Sequence, residues 1–318
     1  LAVGCANTSR HLKAFEAVES GKAEFDIVMN ALTEDPDRLV SSDALAKEIH
    51  QIAQDISDEE DALTALVIAA DISTHGFGMG EVHLRINAAQ IRNAMRPVDG
   101  RTISVSDGVS SPRLLIERLA LRIRKESAWD ISFASLDGET ATARRQLMLA
   151  TQFLKHIDSD QPVRLLIAEC EKPLTIMSAL YLAHKFGITG MIDISPLFET
   201  SYGLEHGEKI VDQLLQQPVF IDYLRQRGRL SIQTGFSDAG RFVGQVAANM
   251  AIERLQLKIL RSLKAKVGTS IDLLIFNTHG ESLGRGGAQA RIAQRQAWLM
   301  TPYAVSYTHL TLPTMIRV

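Results

Sequence analysis

Cysteine is scarce in this 318-residue chain: two residues, Cys5 and Cys170, far apart and without CxxC or any other ligand spacing. Such usage excludes a disulfide framework and a zinc site and fits a reducing cytoplasm. No apolar run reaches the ~18–20 residues that span a bilayer. The opening stretch LAVGCANTSRHLKAF also lacks the charged-then-apolar order of a signal peptide. Neither membrane insertion nor export is expected. There is no basic excess either: 34 Lys and Arg stand against 37 Asp and Glu, a formal net charge of -3. A nucleic-acid partner is therefore not expected, because phosphate neutralisation needs clustered cations. Finally, no GxGxxG follows an early strand, which removes support for a dinucleotide-binding fold.

What is present is a globular composition, 46% hydrophobic and 22% charged, in a chain long enough for one large α/β barrel or two ordinary domains. From Thr8 to about Ala70 the apolar spacing is helical, with Leu12, Phe15 and Val18 on one face. Ala44, Ala46, Ile49 and Ile52 line another face, and TEDPD at Thr33–Asp37 marks a break. MGEVHLRIN (Met79–Asn87) alternates Val82, Leu84 and Ile86 with polar residues, as a strand does. A loop or short hairpin is expected over Arg96–Arg113, a helix over Arg113–Ala128 and a strand in WDISFASL, Trp129–Leu136. Then come four apolar strands: Val163–Glu169, Gly190–Phe198, Leu230–Phe236 and Ser270–Thr278. Long helical segments between them include PLTIMSALYLAHKFG and the stretch Gly240–Lys266. Strands of this kind, each followed by a helix, imply a parallel sheet covered on its faces. The expectation is a (β/α)8 barrel, or the part of one this chain contains.

Three organisational expectations follow: a helical segment over 1–75, a partial barrel over 76–304, and a foreign tail over 305–318. The tail VSYTHLTLPTMIRV resembles translated sequencing-library adapter and is expected to pack against nothing, although its Thr-rich apolar character would otherwise pass for a short strand. The chain opens on Leu1, inside helical sequence, and is expected to be an internal fragment.

Three strand ends pass from apolar residues to a group able to bind metal or move a proton: Glu199 in SPLFET, Asp238 in GFSDAG and His279 in FNTHGESLGRGG. They recur about once per strand-helix unit, and C-terminal strand ends form the active face of parallel barrels. Glu199 and Asp238 are an oxygen-donor pair suited to Mg²⁺ or Mn²⁺. The glycines of GRGGA let backbone N–H groups approach an anion, and Arg285 adds a planar cationic fork. SDAGR, before a helix expected to begin near Gly240, offers a second anion site. Simpler roles stay open for each: Asp238 as an N-cap, Glu199 as a loop acid, His279 as a buried hydrogen-bonded histidine.

ISPLFET, GFSDAGRFVG and THGESLGRGG resemble, in order and spacing, the PLFET, YSDSGKDAG and HGRGGTVGRGG motifs of the phosphoenolpyruvate carboxylase family, and LLIAECEKPLTIMSALYLAHKFGI is similar to the strand-helix before them. The resemblance runs from Gly76 to about Ala288 and is strongest from Val163. It implies an incomplete TIM-type (β/α)8 barrel of the phosphoenolpyruvate/pyruvate kind, with extra helices. It also implies carboxylation of phosphoenolpyruvate with bicarbonate to oxaloacetate and phosphate, a cytoplasmic location and a homo-oligomer, a tetramer. Carried over by position, Glu199 and Asp238 become ligands of Mg²⁺ or Mn²⁺. Arg285, Gly286 and Gly287 hold phosphate, and His279 acts beside the carboxyphosphate.

The departures are specific. HGESLGRGG is two residues shorter than the family loop, and Glu281 stands near the position of its first arginine. Arg241 replaces the family lysine. The family strand LDIRQES corresponds to LRINAAQ, which puts Asn87 at the arginine position in one register and Arg85 there after a two-residue shift. Residues two apart share a strand face, so both are candidates for substrate contact, together with Arg241, Gly286 and Gly287. Two alternatives stay open: a non-catalytic homologue that keeps the barrel for binding or assembly, and another metal-enolate enzyme of phosphoenolpyruvate or pyruvate.

Overall fold

A computed structural model describes residues 39–78, 80–96, 111–277 and 309–311, with a few isolated positions before residue 29. The chain divides into two compact units, Leu1–Val82 with Trp129–Val163 and His83–Ala128 with Arg164–Val318.

The first unit contains helices α1 (Ser42–Asp55) and α2 (Glu59–His75). Ser41 caps α1 by accepting from the Ala44 amide, and Asp58 caps α2 by accepting from Glu60 and Asp61. The inward face of α1 is Ser42, Ala46, Ile49 and Ala53, which keeps Ala46 and Ile49 of the expected stripe and has Ser42 and Ala53 in place of Ala44 and Ile52. Asp158 ties this unit together. Fully buried, it accepts from Ser42 Oγ at 3.1 Å, Phe77 N at 2.7 Å, Asp160 N at 3.0 Å and Gln161 N at 3.3 Å.

In chain order there follow β1 (Val82–Asn87), α3 (Ala88–Ala94), α4 (Pro112–Lys125), α5 (Ala134–Asp137), α6 (Thr142–His156), β2 (Val163–Ala168) and α7 (Pro173–Lys185). Next come β3 (Ile192–Phe198), α8 (Ser201–Leu214), α9 (Pro218–Arg227), β4 (Arg229–Thr234), α10 (Ser237–Val243), α11 (Gln245–Val267), β5 (Asp272–Asn277) and β6 (His309–Thr311).

WDISFASL is not a strand. Ser132 N donates to Ser135 Oγ at 3.3 Å and Leu136 N to Phe133 O at 2.9 Å, so local serine bonds and a short helix take the backbone instead. Nor does 305–318 pack against nothing. His309–Thr311 pairs in parallel with β5, Leu274 opposite His309 and Phe276 opposite Thr311. The free edge of β5 offers unpaired N–H and C=O groups, which a short β-prone segment satisfies.

The six strands lie in sequence order, β1-β2-β3-β4-β5-β6, and β3 to β6 run parallel. Helices cover the sheet. α7 is buried on nearly every side, from Thr175 to Ala183, which explains its near-continuous apolar sequence. Its C-terminus meets that of α4: Tyr181 Oη donates to Glu126 at 2.8 Å, Lys185 Nζ to Ser127 O at 2.6 Å, and Arg122 lies over the Tyr181 ring. Burial would raise the Glu126 carboxyl, but hydrogen bonds from Arg122 and Tyr181 hold it below the ordinary value.

Register defines a buried, largely polar face of the sheet. Leu197 lies beside Gln233, and Gln233 beside Phe276. Two residues back, Ser195 and Ser231 hydrogen-bond through their hydroxyls at 2.5 Å. Two further back, Asp193 receives Arg229 at 2.8 Å, with Arg164 at 3.2 Å and Arg227 at 2.9 Å. Phe276 on β5 meets the Arg164 guanidinium at 4.8 Å and the His83 ring at 5.7 Å, although β3 and β4 lie between them in the sheet. This face is therefore concave. Its base is an arginine-aspartate cluster, its middle a serine layer, and its upper rim the next step in the same register: Glu199 and Gly235.

Candidate functional site at the strand ends

Glu199 is the first residue beyond β3 and is half-buried. The parity that puts Asp193, Ser195 and Leu197 on the concave face puts Glu199 there too. Its neighbour across the sheet is Gly235, whose amide donates to Phe198 O at 3.0 Å. A Cβ on Gly235 would lie 2.6 Å from the Glu199 Cβ. The absence of a side chain at 235 thus makes the space that Glu199 occupies.

On its other side Glu199 is followed by Thr200, the N-cap of α8, which accepts from Gly203 N at 3.0 Å and donates to Glu171 Oε1 at 2.7 Å. Glu171 follows the end of β2, where Glu169 adopts a left-handed backbone, φ 54. For a residue with a Cβ this costs about 1–2 kcal/mol. Cys170, between the two acids, is buried, and burial pushes its thiol up to about 12.

Asp238 is the second residue of α10, which begins directly beyond the end of β4. The N-cap of that helix is Phe236, so Asp238 lies in the first turn and is not the cap. The long helix expected from Gly240 is two helices, broken at Gly244, φ 83. Since β3 and β4 are parallel neighbours, their C-terminal ends bring the Glu199 and Asp238 segments to the same rim. Arg241 is in the last turn of α10 and exposed.

Of the two β1 candidates, Asn87 is used locally. It caps α3, accepting from Gln90 N at 2.9 Å while Gln90 Oε1 accepts from Asn87 N at 2.9 Å. This capping box commits its amide to the helix start. Arg85, two residues earlier on the same face, is exposed. His279, Arg285, Gly286 and Gly287 lie outside the described residues.

Among the described residues no group of three or more His, Cys, Asp or Glu side chains stands together for a metal ion. Magnesium or manganese requires fewer: one or two carboxylates suffice, with waters and substrate oxygens completing the shell. Hard oxygen donors on adjacent strand ends, one of them in a space kept open by Gly235, fit such an ion. Sequence reasoning passed over Gly235, Thr200 and Glu171. The first stands inside a quoted motif, but its steric meaning depends on strand register. The other two are 29 residues apart and unrelated by spacing.

Among the described residues, no helix is long and apolar enough to cross a membrane. Comparison with known proteins supplies the remaining findings. The phosphoenolpyruvate carboxylase family model matches residues 6–304. The phosphoenolpyruvate carboxylase of Marinomonas sp. (strain MWYL1) is 31% identical over 127 residues, 40% of this chain and 14% of the relative. That of Corynebacterium glutamicum is 23% identical over 248 residues, 74% of this chain and 26% of the relative. That of Thermus thermophilus is 30% identical over 125 residues, 37% of this chain and 14% of the relative. The chain therefore spans about a seventh to a quarter of the length of these curated relatives. With SPLFET and FSDAG at neighbouring strand ends and a match to the family model along nearly its whole length, this chain belongs to the phosphoenolpyruvate carboxylase family.

Proposed function

We propose that the complete polypeptide carboxylates phosphoenolpyruvate with bicarbonate, giving oxaloacetate and phosphate, and that this chain supplies the part of its (β/α)8 barrel that binds metal and phosphate. The observation that carries the reading is the pair of acid-bearing segments, Glu199 and Asp238, at the C-terminal ends of adjacent parallel strands. A cytoplasmic location and a homo-oligomeric state are part of the same proposal and rest on family membership.

Glu199 and Asp238 hold Mg²⁺ or Mn²⁺. The bound ion supplies positive charge to the phosphate and enolate oxygens of the substrate. Arg285, with the backbone of Gly286 and Gly287, binds the phosphoryl group, and Arg241 and Arg85 add cationic contacts at the rim. Asn87, which caps the helix after β1, is a further substrate contact in this reading only by its match to the family strand. His279 holds or moves a proton beside the departing phosphate. Glu281 puts a negative charge in this loop, which opposes phosphate or bicarbonate beside it.

The test is phosphate release from phosphoenolpyruvate by the complete polypeptide, with and without bicarbonate. Release that needs both bicarbonate and a divalent ion supports the proposal. A folded protein that binds Mn²⁺ but releases no phosphate fits the non-catalytic alternative instead.

A further inference from the structure

We propose that Glu171 is a positioning residue for the metal-binding acid, acting on Glu199 through the hydroxyl of Thr200. The inference rests on the assignment of Glu199 as a metal ligand made under Proposed function.

A threonine hydroxyl has one proton and two lone pairs. In Thr200 the proton goes to Glu171 Oε1 at 2.7 Å and a lone pair accepts from Gly203 N at 3.0 Å. The rotor is thereby fixed from both sides. One position earlier, Glu199 projects over Gly235; one before that, Phe198 is fully buried and its carbonyl accepts from Gly235 N. Glu199 thus stands between two anchored neighbours, of which Phe198 is held by the sheet and Thr200 by Glu171. Without Glu171 the Thr200 hydroxyl loses its acceptor and keeps the cap of α8, and the β2 and β3 ends lose this hydrogen bond.

Glu171 is also held. The left-handed residue Glu169 turns the chain out of β2, and buried Cys170 pins the turn, accepting a hydrogen bond from the Lys172 backbone. A strained turn delivering one carboxylate to the hydroxyl beside another is consistent with a role in orientation. Groups that orient metal ligands typically change metal affinity by about 10- to 100-fold when removed.

The experiment is Mn²⁺ binding to the complete polypeptide, read from the paramagnetic resonance signal of the free ion, with thermal melting of each variant as the folding control. Glu199→Gln is expected to weaken binding by at least about tenfold and Glu171→Ala by about tenfold. Glu171→Gln, whose amide oxygen still accepts from Thr200, and Thr200→Ser, which keeps the hydroxyl, should stay close to wild type. Should Glu171→Ala fail to fold, Glu171→Met, similar in length and without the oxygen acceptor, takes its place. Wild-type affinity in Glu171→Ala beside a loss in Glu199→Gln would overturn the positioning role alone. An equal loss in Glu171→Gln and Glu171→Ala would overturn it too, because charge rather than the hydrogen bond would then matter. Equal binding by wild type and Glu199→Gln would remove the metal assignment, and the positioning role with it.

Discussion

Gly235 and Glu199 share one space across the β3–β4 boundary: a Cβ on the first would lie 2.6 Å from the Cβ of the second. Gly235→Ala must displace one strand end or the acid. Overpacking of this kind costs about 1–3 kcal/mol. The melting temperature should fall by several degrees, at roughly 2–4 °C per kcal/mol for a chain near this size. Gly138→Ala is the control, since nothing lies within 4 Å of a Cβ there. Equal melting of both variants would show that the rim tolerates the methyl group.

In the first unit, Asp158→Ala should be among the most damaging single changes. It leaves the amides of Phe77, Asp160 and Gln161 and the Ser42 hydroxyl without their shared acceptor. Buried donors left unpaired cost about 1–3 kcal/mol each, reduced where water enters, so a total loss of roughly 3 kcal/mol is expected. Denaturant unfolding measures it. A loss below about 1 kcal/mol would mean that water replaces the carboxylate.

Acid should weaken the link between α4 and α7. The Glu126 carboxyl, despite burial, is held below its ordinary 4.5 by Arg122 and Tyr181. Asp212 is held below 3.8, chiefly by the Lys266 ammonium. For folded values that are depressed, the stabilisation is complete above the ordinary value and is lost as pH falls through the folded one. Melting of wild type and Glu126→Gln should therefore differ most near neutrality and converge as the pH is taken below the ordinary carboxylate range. A difference that does not change with pH would contradict this.

Cys170 should be inert. With Cys5 replaced by serine, a thiol reagent at pH 8 should modify Cys170 only on unfolding, because burial raises its thiol to about 12. Rapid native-state labelling would show that the β2 end opens readily.

Much of this fold was legible from the chain alone, because strands buried on both faces read as apolar runs and β2 to β5 lie within a residue or two of their expected places. Trp129–Leu136 misled for the same reason: its apolar residues match a strand, while Ser132 and Ser135 offer the backbone local partners that apolar periodicity does not register. Asp238 was legible as a strand-end acid, but not its place inside the first turn of α10, since helix starts shift with the cap and Phe236 is not a capping residue type. Asn87 matched a substrate position by alignment while its amide serves Gln90. The Glu171–Thr200 bond joins residues 29 apart, and no spacing rule reaches it.

If Asp238 and Glu199 hold a divalent ion for phosphoenolpyruvate chemistry, Asp238→Asn in the complete polypeptide should all but abolish that chemistry. The change keeps size and removes charge at a backbone position already in place. Phosphate release from phosphoenolpyruvate with bicarbonate should fall by orders of magnitude while melting stays near wild type, and excess Mn²⁺ should restore only part of it. Near-normal release by a folded Asp238→Asn protein would contradict the metal assignment.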